Sequence, residues 1–286
     1  MPELPEVEIT RRILETCWRG RRIVSIEHHD PLRYRSTQHA EGRRILRSSR
    51  RGKFLLLHLE GGRTLVIHLG MTGGFRFGPD PHTRVILHLE DGSMLYFRDP
   101  RRFGRWWVTP PEEVGLLQRL GPEPLSPQFT FQAFRQRLQR NQRIKDLLLG
   151  QEVVAGLGNI YTDEALWRAK IHPASPARQL QDPELRQLYR AIRQVLREAL
   201  SVGGSTLSDQ AYQQPDGHPG YFQLHHRVYG RAGQPCVRCA HPIEKITLGG
   251  RGTHFCPHCQ AGPAGSLPPE PPAGRPARSP ESPHAL

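Results

Sequence analysis

Gly121-Pro122-Glu123-Pro124-Leu125-Ser126-Pro127 is the stretch that decides the fold. Proline lacks an amide hydrogen and fixes its own φ, so neither helix nor sheet continues through such a run. The hydrophobic period changes across it. On its N-terminal side, short β-rich runs are broken by turn residues, at 22–27, 43–48, 53–59, 64–69, 74–77, 84–89, 94–98 and 105–108. Gly61-Gly62 and Asp91-Gly92 are the expected hairpin turns between them. About eight strands at this spacing point to a sandwich or barrel-like pair of sheets. On the C-terminal side the apolar residues recur at helical spacing, over 131–138, 143–149, 160–168 and 184–202. Ahead of the strands, 6–17 reads as an amphipathic helix with Val7, Ile13, Leu14 and Cys17 on one side and Arg11 and Arg12 on the other. Cys17 is expected there as a buried apolar residue rather than a nucleophile.

The expected class is therefore α+β. An N-terminal antiparallel β-sandwich with flanking helices spans 2–120, and 121–129 links it to a helical domain over 130–227. The polar stretch 205–223 within that domain reads as a mobile loop. A cysteine module fills 228–260. The tail 261–286 is rich in Pro, Gly, Ala and Ser and is expected to be disordered.

The 286 residues carry 40 Lys plus Arg against 27 Asp plus Glu, a net charge of +13. In the tail Glu270 and Glu281 cancel Arg275 and Arg278, so the whole excess belongs to 1–260. Codon bias explains arginine over lysine but not cation over anion. The partner is a polyanion: nucleic acid or an anionic membrane surface. No segment reaches the roughly 18 apolar residues of a membrane span, and the acidic opening 1–6 is no signal peptide. A cytoplasmic location follows, and cysteine usage agrees: four of the five lie in two close pairs, which suits a reduced compartment.

Those pairs, Cys236-x2-Cys239 and Cys256-x2-Cys259, have the spacing of a four-cysteine site for one structural Zn2+. Four protein ligands leave no open position for water. His241, His254 or His258 replacing a cysteine, and a redox dithiol, are the alternatives. A zinc ribbon on a basic chain suggests nucleic-acid binding without supplying chemistry.

Chemistry is offered at the other end. Removal of Met1 leaves Pro2 with a free secondary amine, a group titrating near ~8 and partly unprotonated at neutral pH. Glu3 and Glu6, one helical turn apart, could serve it as proton donor and hydrogen-bonding partner. The alternative is an ordinary helix start, with proline in the first turn and acids complementing the dipole.

Pro2-Glu3-Leu4-Pro5-Glu6-Val7-Glu8 resembles the opening of bacterial formamidopyrimidine-DNA glycosylases, which remove 8-oxoguanine and ring-opened purines. The likeness continues, in family order, through 51–55 (RGKFL), 68–73 (HLGMTG), 99–104 (DPRRFG), 154–161 (VAGLGNIY), 229–231 (YGR) and 251–256 (RGTHFC). Only the tail is left uncovered.

The resemblance implies that Pro2 attacks the sugar C1′, expels the base and forms a Schiff base, after which β,δ-elimination cuts the strand on both sides. Glu3 is then the acid/base at the sugar ring and Glu6 its helper. Lys53 matches the lysine that contacts phosphate and donates a proton in β-elimination, and Arg251 the donor in δ-elimination. Met71, Arg101 and Phe103 match the residues that fill the gap left by the flipped nucleotide. Base chemistry on a duplex requires such extrusion, and an apolar wedge replaces lost stacking. Gly156-Leu157-Gly158-Asn159 matches the turn of a helix–two-turns–helix element, whose helix N-terminus attracts a phosphate. Asn159 and Arg251 would grip the backbone, and His82 aligns by spacing to a DNA-contacting histidine. The implied partner is duplex DNA carrying a damaged purine, preferably opposite cytosine, bound by a monomer with no membrane involved.

Two positions depart from the family pattern. Ser208 stands where some relatives have lysine, in the loop that caps 8-oxoguanine, and Gly150 where relatives often have aspartate. The nearest rival is an endonuclease VIII-type enzyme for oxidised pyrimidines, but its opening usually has Gly at the position of Leu4. A non-catalytic DNA-damage-binding protein would be expected to have lost Pro2, Glu3 or Lys53.

Overall fold

A computed structural model gives the structure of the chain and describes residues 2–110, 115–208 and 212–262. The tail beyond 262, and 209–211 of the expected mobile loop, lie outside the described residues.

Helix α1 (Leu4–Trp18) starts earlier than its apolar period suggests, because Glu3 caps it. The Glu6 carboxylate accepts the Glu3 amide at 2.8 Å, and Pro5 occupies the first turn. Its deeply buried apolar residues include Leu4, Val7, Leu14 and Trp18. Cys17 is only half-buried, contrary to expectation, because the neighbouring Trp18 takes the inward position. Its indole meets the Phe75 ring edge-on at 5.8 Å.

Among the described residues nine strands follow: β1 (Ile23–His28), β2 (Tyr34–Arg35), β3 (Ile45–Arg51), β4 (Phe54–Leu59), β5 (Thr64–His68), β6 (Gly74–Arg76), β7 (Thr83–Leu89), β8 (Met94–Arg98) and β9 (Arg105–Thr109). They form one sheet in the order β1-β7-β8-β6 and a second in the order β2-β9-β5-β4-β3. All pairs are antiparallel except that of the short β2, a strand outside the sequence expectation, which runs parallel to β9. The inner faces share one core: Val85, Leu87, Leu95 and Phe97 from the first sheet meet Leu55, Leu57, Leu65, Ile67 and Trp106 from the second. Strands β4 and β5 read as continuous apolar runs because their outer faces are covered too. There Leu56 and Val66 cluster with Leu117 of the one-turn helix α2 (Gly115–Gln118).

The proline-rich stretch is packed rather than free. Gly121 donates to the Gln151 carbonyl at 2.8 Å, Glu123 pairs with Arg50 at 2.7 Å, and Phe129 is buried. Beyond it come α3 (Phe131–Arg137), α4 (Ile144–Leu149), α5 (Asn159–Ala169) and α6 (Asp182–Ser201), around a second core. Leu4, from α1, sits in this second core, whereas Val7, Leu14 and Trp18 sit in the first.

A hairpin of β10 (Glu244–Leu248) and β11 (Arg251–Phe255) docks on α5. Asp163 of α5 binds the Lys145 ammonium of α4 at 2.7 Å and accepts the His254 amide at 2.9 Å, while Lys145 also reaches the Thr253 hydroxyl at 2.8 Å. Both charged side chains are fully buried. Replacing Asp163 with Asn strands a buried ammonium, which costs about 3–5 kcal/mol. Urea unfolding of Asp163→Asn is expected to show a loss of that size; a loss within error of zero would remove the pair from the account of ribbon docking.

Candidate active site

The first turn of α1 meets the N-terminus of α5. The Glu3 carboxylate, only 1% exposed, accepts the Gly158 amide, the Ile160 amide at 2.9 Å and the Tyr161 amide at 3.4 Å. The site is built for this approach: a Cβ on Gly158 would collide with the Glu3 carboxyl carbon. Gly156, at φ +92°, gives its carbonyl to the Leu4 amide at 3.0 Å. Burial pushes the Glu3 pKa up to about 7; the Lys53 ammonium and the amide bonds oppose this, and Glu6 adds to it.

Glu6 is equally buried. Its Oε1 accepts the Tyr161 hydroxyl at 2.5 Å and the Ser205 amide at 2.8 Å. Lys53, expected at the start of a strand, instead occupies the two-residue turn joining β3 to β4, after Gly52 at φ +57°. The turn carries its side chain off the sheet and into the interface. Burial pulls the ammonium below the usual lysine range, opposed by Glu3 and reinforced by the Arg251 guanidinium. Next to it, burial holds His68 at about 4, with Lys53 and Arg105 adding to the effect, so this imidazole is neutral at physiological pH.

Glu3, Lys53, Met71, Asn159 and Arg251 line one cavity of about 170 Å³, together with Leu149, Ile160 and Tyr229. Pro2 is buried immediately before Glu3 and is not among the lining residues. Arg251 reaches the cavity because Gly249 and Gly250, at φ +52° and +70°, make the tip of the β10–β11 hairpin. Asn159 donates to the Gly252 carbonyl at 2.8 Å, and its Oδ1 is buried without a partner among the described residues.

Met71, Arg101 and Phe103 come from two loops fastened by buried Asp99. Its carboxylate accepts the Thr72 hydroxyl at 2.6 Å and the Gly104 amide at 2.7 Å, and Thr72 accepts the Arg101 amide at 3.2 Å. The Arg101 guanidinium lies 5.1 Å over the Phe103 ring, and that ring is 47% exposed. His82 is exposed outside the cavity, its carbonyl accepting the Asp99 amide at 3.0 Å.

The four cysteine Sγ atoms lie within 4.8 Å of one another, with pairs at 3.3, 3.4 and 3.9 Å. Tetrahedral zinc at ~2.3 Å from each sulfur requires separations near ~3.8 Å, so the donor set fits. The Arg238 and Cys259 amides point at the Cys236 and Cys256 sulfurs at 3.5 and 3.4 Å.

Some of these residues carry no signal that singles them out in the sequence. Tyr161 and Tyr229 lie inside motifs of the resemblance without a role implied for either. Lys145 is as rare a lysine as Lys53, and that rarity is the signal that could have found it.

The chain is 59% identical over 264 residues to the formamidopyrimidine-DNA glycosylase of Thermus thermophilus, covering 91% of this chain and 98% of that one. The chain belongs to the formamidopyrimidine-DNA glycosylase family. The family's N-terminal domain pattern matches residues 1–106, its H2TH domain 120–211, and the zinc finger found in FPG and IleRS 233–262. The crystal structure of the MutM (Fpg) protein from Thermus thermophilus superposes with a TM-score of 0.89 at 57% identity, covering 92% of this chain and all of that one. A Lactococcus lactis Fpg solved with DNA containing N7-benzyl-Fapy-dG gives 0.84 at 37% identity, over 91% of this chain and 100% of that one. As a member of that family the protein is a DNA-repair glycosylase acting on damaged DNA. Among its described residues no helix is long and apolar enough to cross a membrane.

Glu3 gives a pH test. Its folded-state pKa lies above the unfolded value of 4.5, so its contribution to stability is fully present below that pH and is lost as pH rises through about 7. Unfolding free energies measured over this window should fall for the wild type relative to Glu3→Gln. Parallel curves would show that burial does not hold a proton on Glu3.

Proposed function

We propose that this glycosylase excises oxidised purines, 8-oxoguanine and formamidopyrimidines, through a Schiff base on Pro2, and then cuts the strand by β,δ-elimination. One observation carries the reading. A carboxyl that keeps its proton to about pH 7 and a lysine depressed below its usual range share a cavity beside Pro2.

With Met1 removed, the Pro2 nitrogen adds to C1′ and the bond from C1′ to the base breaks. Its electron pair leaves with the base, which takes up a proton. Glu3 in its protonated form donates to the sugar ring oxygen as the ring opens and the iminium forms. Glu6, fixed by Tyr161 and Ser205, holds the Glu3 amide and so fixes the residue next to the amine. Loss of a C2′ proton then expels the 3′ phosphate, with Lys53 placed to contact phosphate and give a proton. Arg251 does the same for the second elimination, which expels the 5′ phosphate.

Met71 and Phe103 enter the duplex as the lesion leaves, and Arg101, stacked on Phe103, pairs with the widowed cytosine. Asn159, Arg251 and His82 hold the backbone. The extruded base is assigned to a larger cavity of about 610 Å³ that shares Tyr229 with the first and is edged by Ser208. A single Zn2+ on Cys236, Cys239, Cys256 and Cys259 is structural. Those residues hold the hairpin that delivers Arg251, and the enzyme works as a monomer in the cytoplasm, on the nucleoid.

Borohydride trapping tests the chemistry. The expected cross-link is to Pro2, formed mainly on duplexes with 8-oxoguanine opposite cytosine. Trapping mainly on thymine glycol would move the enzyme to the endonuclease VIII type, and absence of trapping by Met1-free protein would overturn the lyase mechanism. Zinc removal by a chelator should abolish strand cleavage and open the 236–259 module to proteolysis while the sandwich stays resistant. A chelated protein that still cleaves would sever the ribbon from catalysis.

A further inference from the structure

Helix α6 carries Arg186, Arg190, Arg193 and Arg197 at i, i+4, i+7 and i+11, within one narrow strip of its surface. The buried residues of the helix, among them Leu188, Ile192, Val195 and Ala199, lie on the opposite side. That buried side packs on α1 and α5, which carry Glu3, Glu6 and Asn159. The arginine strip therefore faces away from α1 and α5 and from the cavity that they help to form.

The strip is unbalanced in charge. Among the described residues no carboxylate lies within ion-pair distance of Arg186, Arg190, Arg193 or Arg197. Asp182, one turn before Arg186, is held by Arg135, and Glu198 is held by Arg168 on another face. Like charges at i and i+4 destabilise a helix. Here the repulsion is accepted along the whole strip, and two of the guanidinium groups are braced. Arg186 lies 4.0 Å over the Phe131 ring, and Arg193 binds the Tyr189 hydroxyl at 2.9 Å. Both are thus held against an aromatic ring.

We propose that the α6 strip is a second DNA-binding face, which takes the phosphate backbone of a separate duplex segment while the cleft holds the first. From Arg186 to Arg197 the row extends about 16 Å along the helix. A duplex presents one negative charge every ~1.7 Å of its axis, so such a row meets several phosphates without any base contact. Two segments on opposite faces allow transfer between them without passage through free solution. The inference rests on the cleft being the site for damaged DNA.

The test occupies the cleft first, with one equivalent of unlabelled short duplex containing a non-cleavable abasic analogue, and then titrates a labelled undamaged duplex at several salt concentrations. The wild type is expected to bind the second duplex. The triple variant Arg186→Gln/Arg190→Gln/Arg197→Gln is expected to bind it much more weakly, the slope of log affinity against log salt falling by about 2.7. Excision from a short duplex should be unchanged. A second duplex that does not bind the wild type, or binds the variant equally, overturns the proposal, as does a strip that retains anionic vesicles but no DNA. Failure of cleft occupancy itself, read from the first duplex, would instead count against the cleft assignment.

Discussion

The interaction on which the rest depends is the capture of one carboxylate by the end of a helix from another part of the chain. Glu3 begins α1, yet its side chain caps α5, more than 150 residues later in sequence. Helix N-termini leave amides unsatisfied, and a buried carboxylate needs donors. Each solves the other's problem, and the solution fixes Glu3, the neighbour of Pro2, in one cavity with Asn159 and Arg251 of the hairpin tip. Gly156 and Gly158 are the sterically necessary counterpart, because any side chain there would occupy the space of Leu4 or Glu3.

Around that junction the charges are arranged in opposition. Glu3 is raised by burial while Lys53 is lowered by it, so each group moves toward neutrality in the same small volume. A buried carboxyl raised to about 7 beside an ammonium depressed below its usual range is an arrangement suited to acid–base work. A second buried pair, Lys145 with Asp163, is in direct contact and has a different task. It fixes β11, and with it Arg251, to the same helix whose N-terminus Glu3 caps.

Much of this is legible in the sequence because it is local. The eight expected strands and the five expected helices follow from period and turn residues, and the paired cysteines announce their own cluster. What stays hidden depends on contacts distant along the chain. Strand β2 is two residues long and exists only because β9 lies alongside it. Lys53 sits one position outside the strand expected for it, since the two-residue turn shows only once Arg51 pairs with Phe54. The bonds from Tyr161 to Glu6 and from Asn159 to Gly252 join segments that no periodicity relates.

Helix α1 belongs to both halves of the molecule, with Leu4 in one core and Val7, Leu14 and Trp18 in the other. It therefore acts as an axle. The halves cannot melt separately without drawing a leucine out of a foreign interior, which couples their unfolding into a shared event. The reactive end of the chain lies at the one turn that both interiors grip, and so it stays registered with α5 for as long as either half is folded.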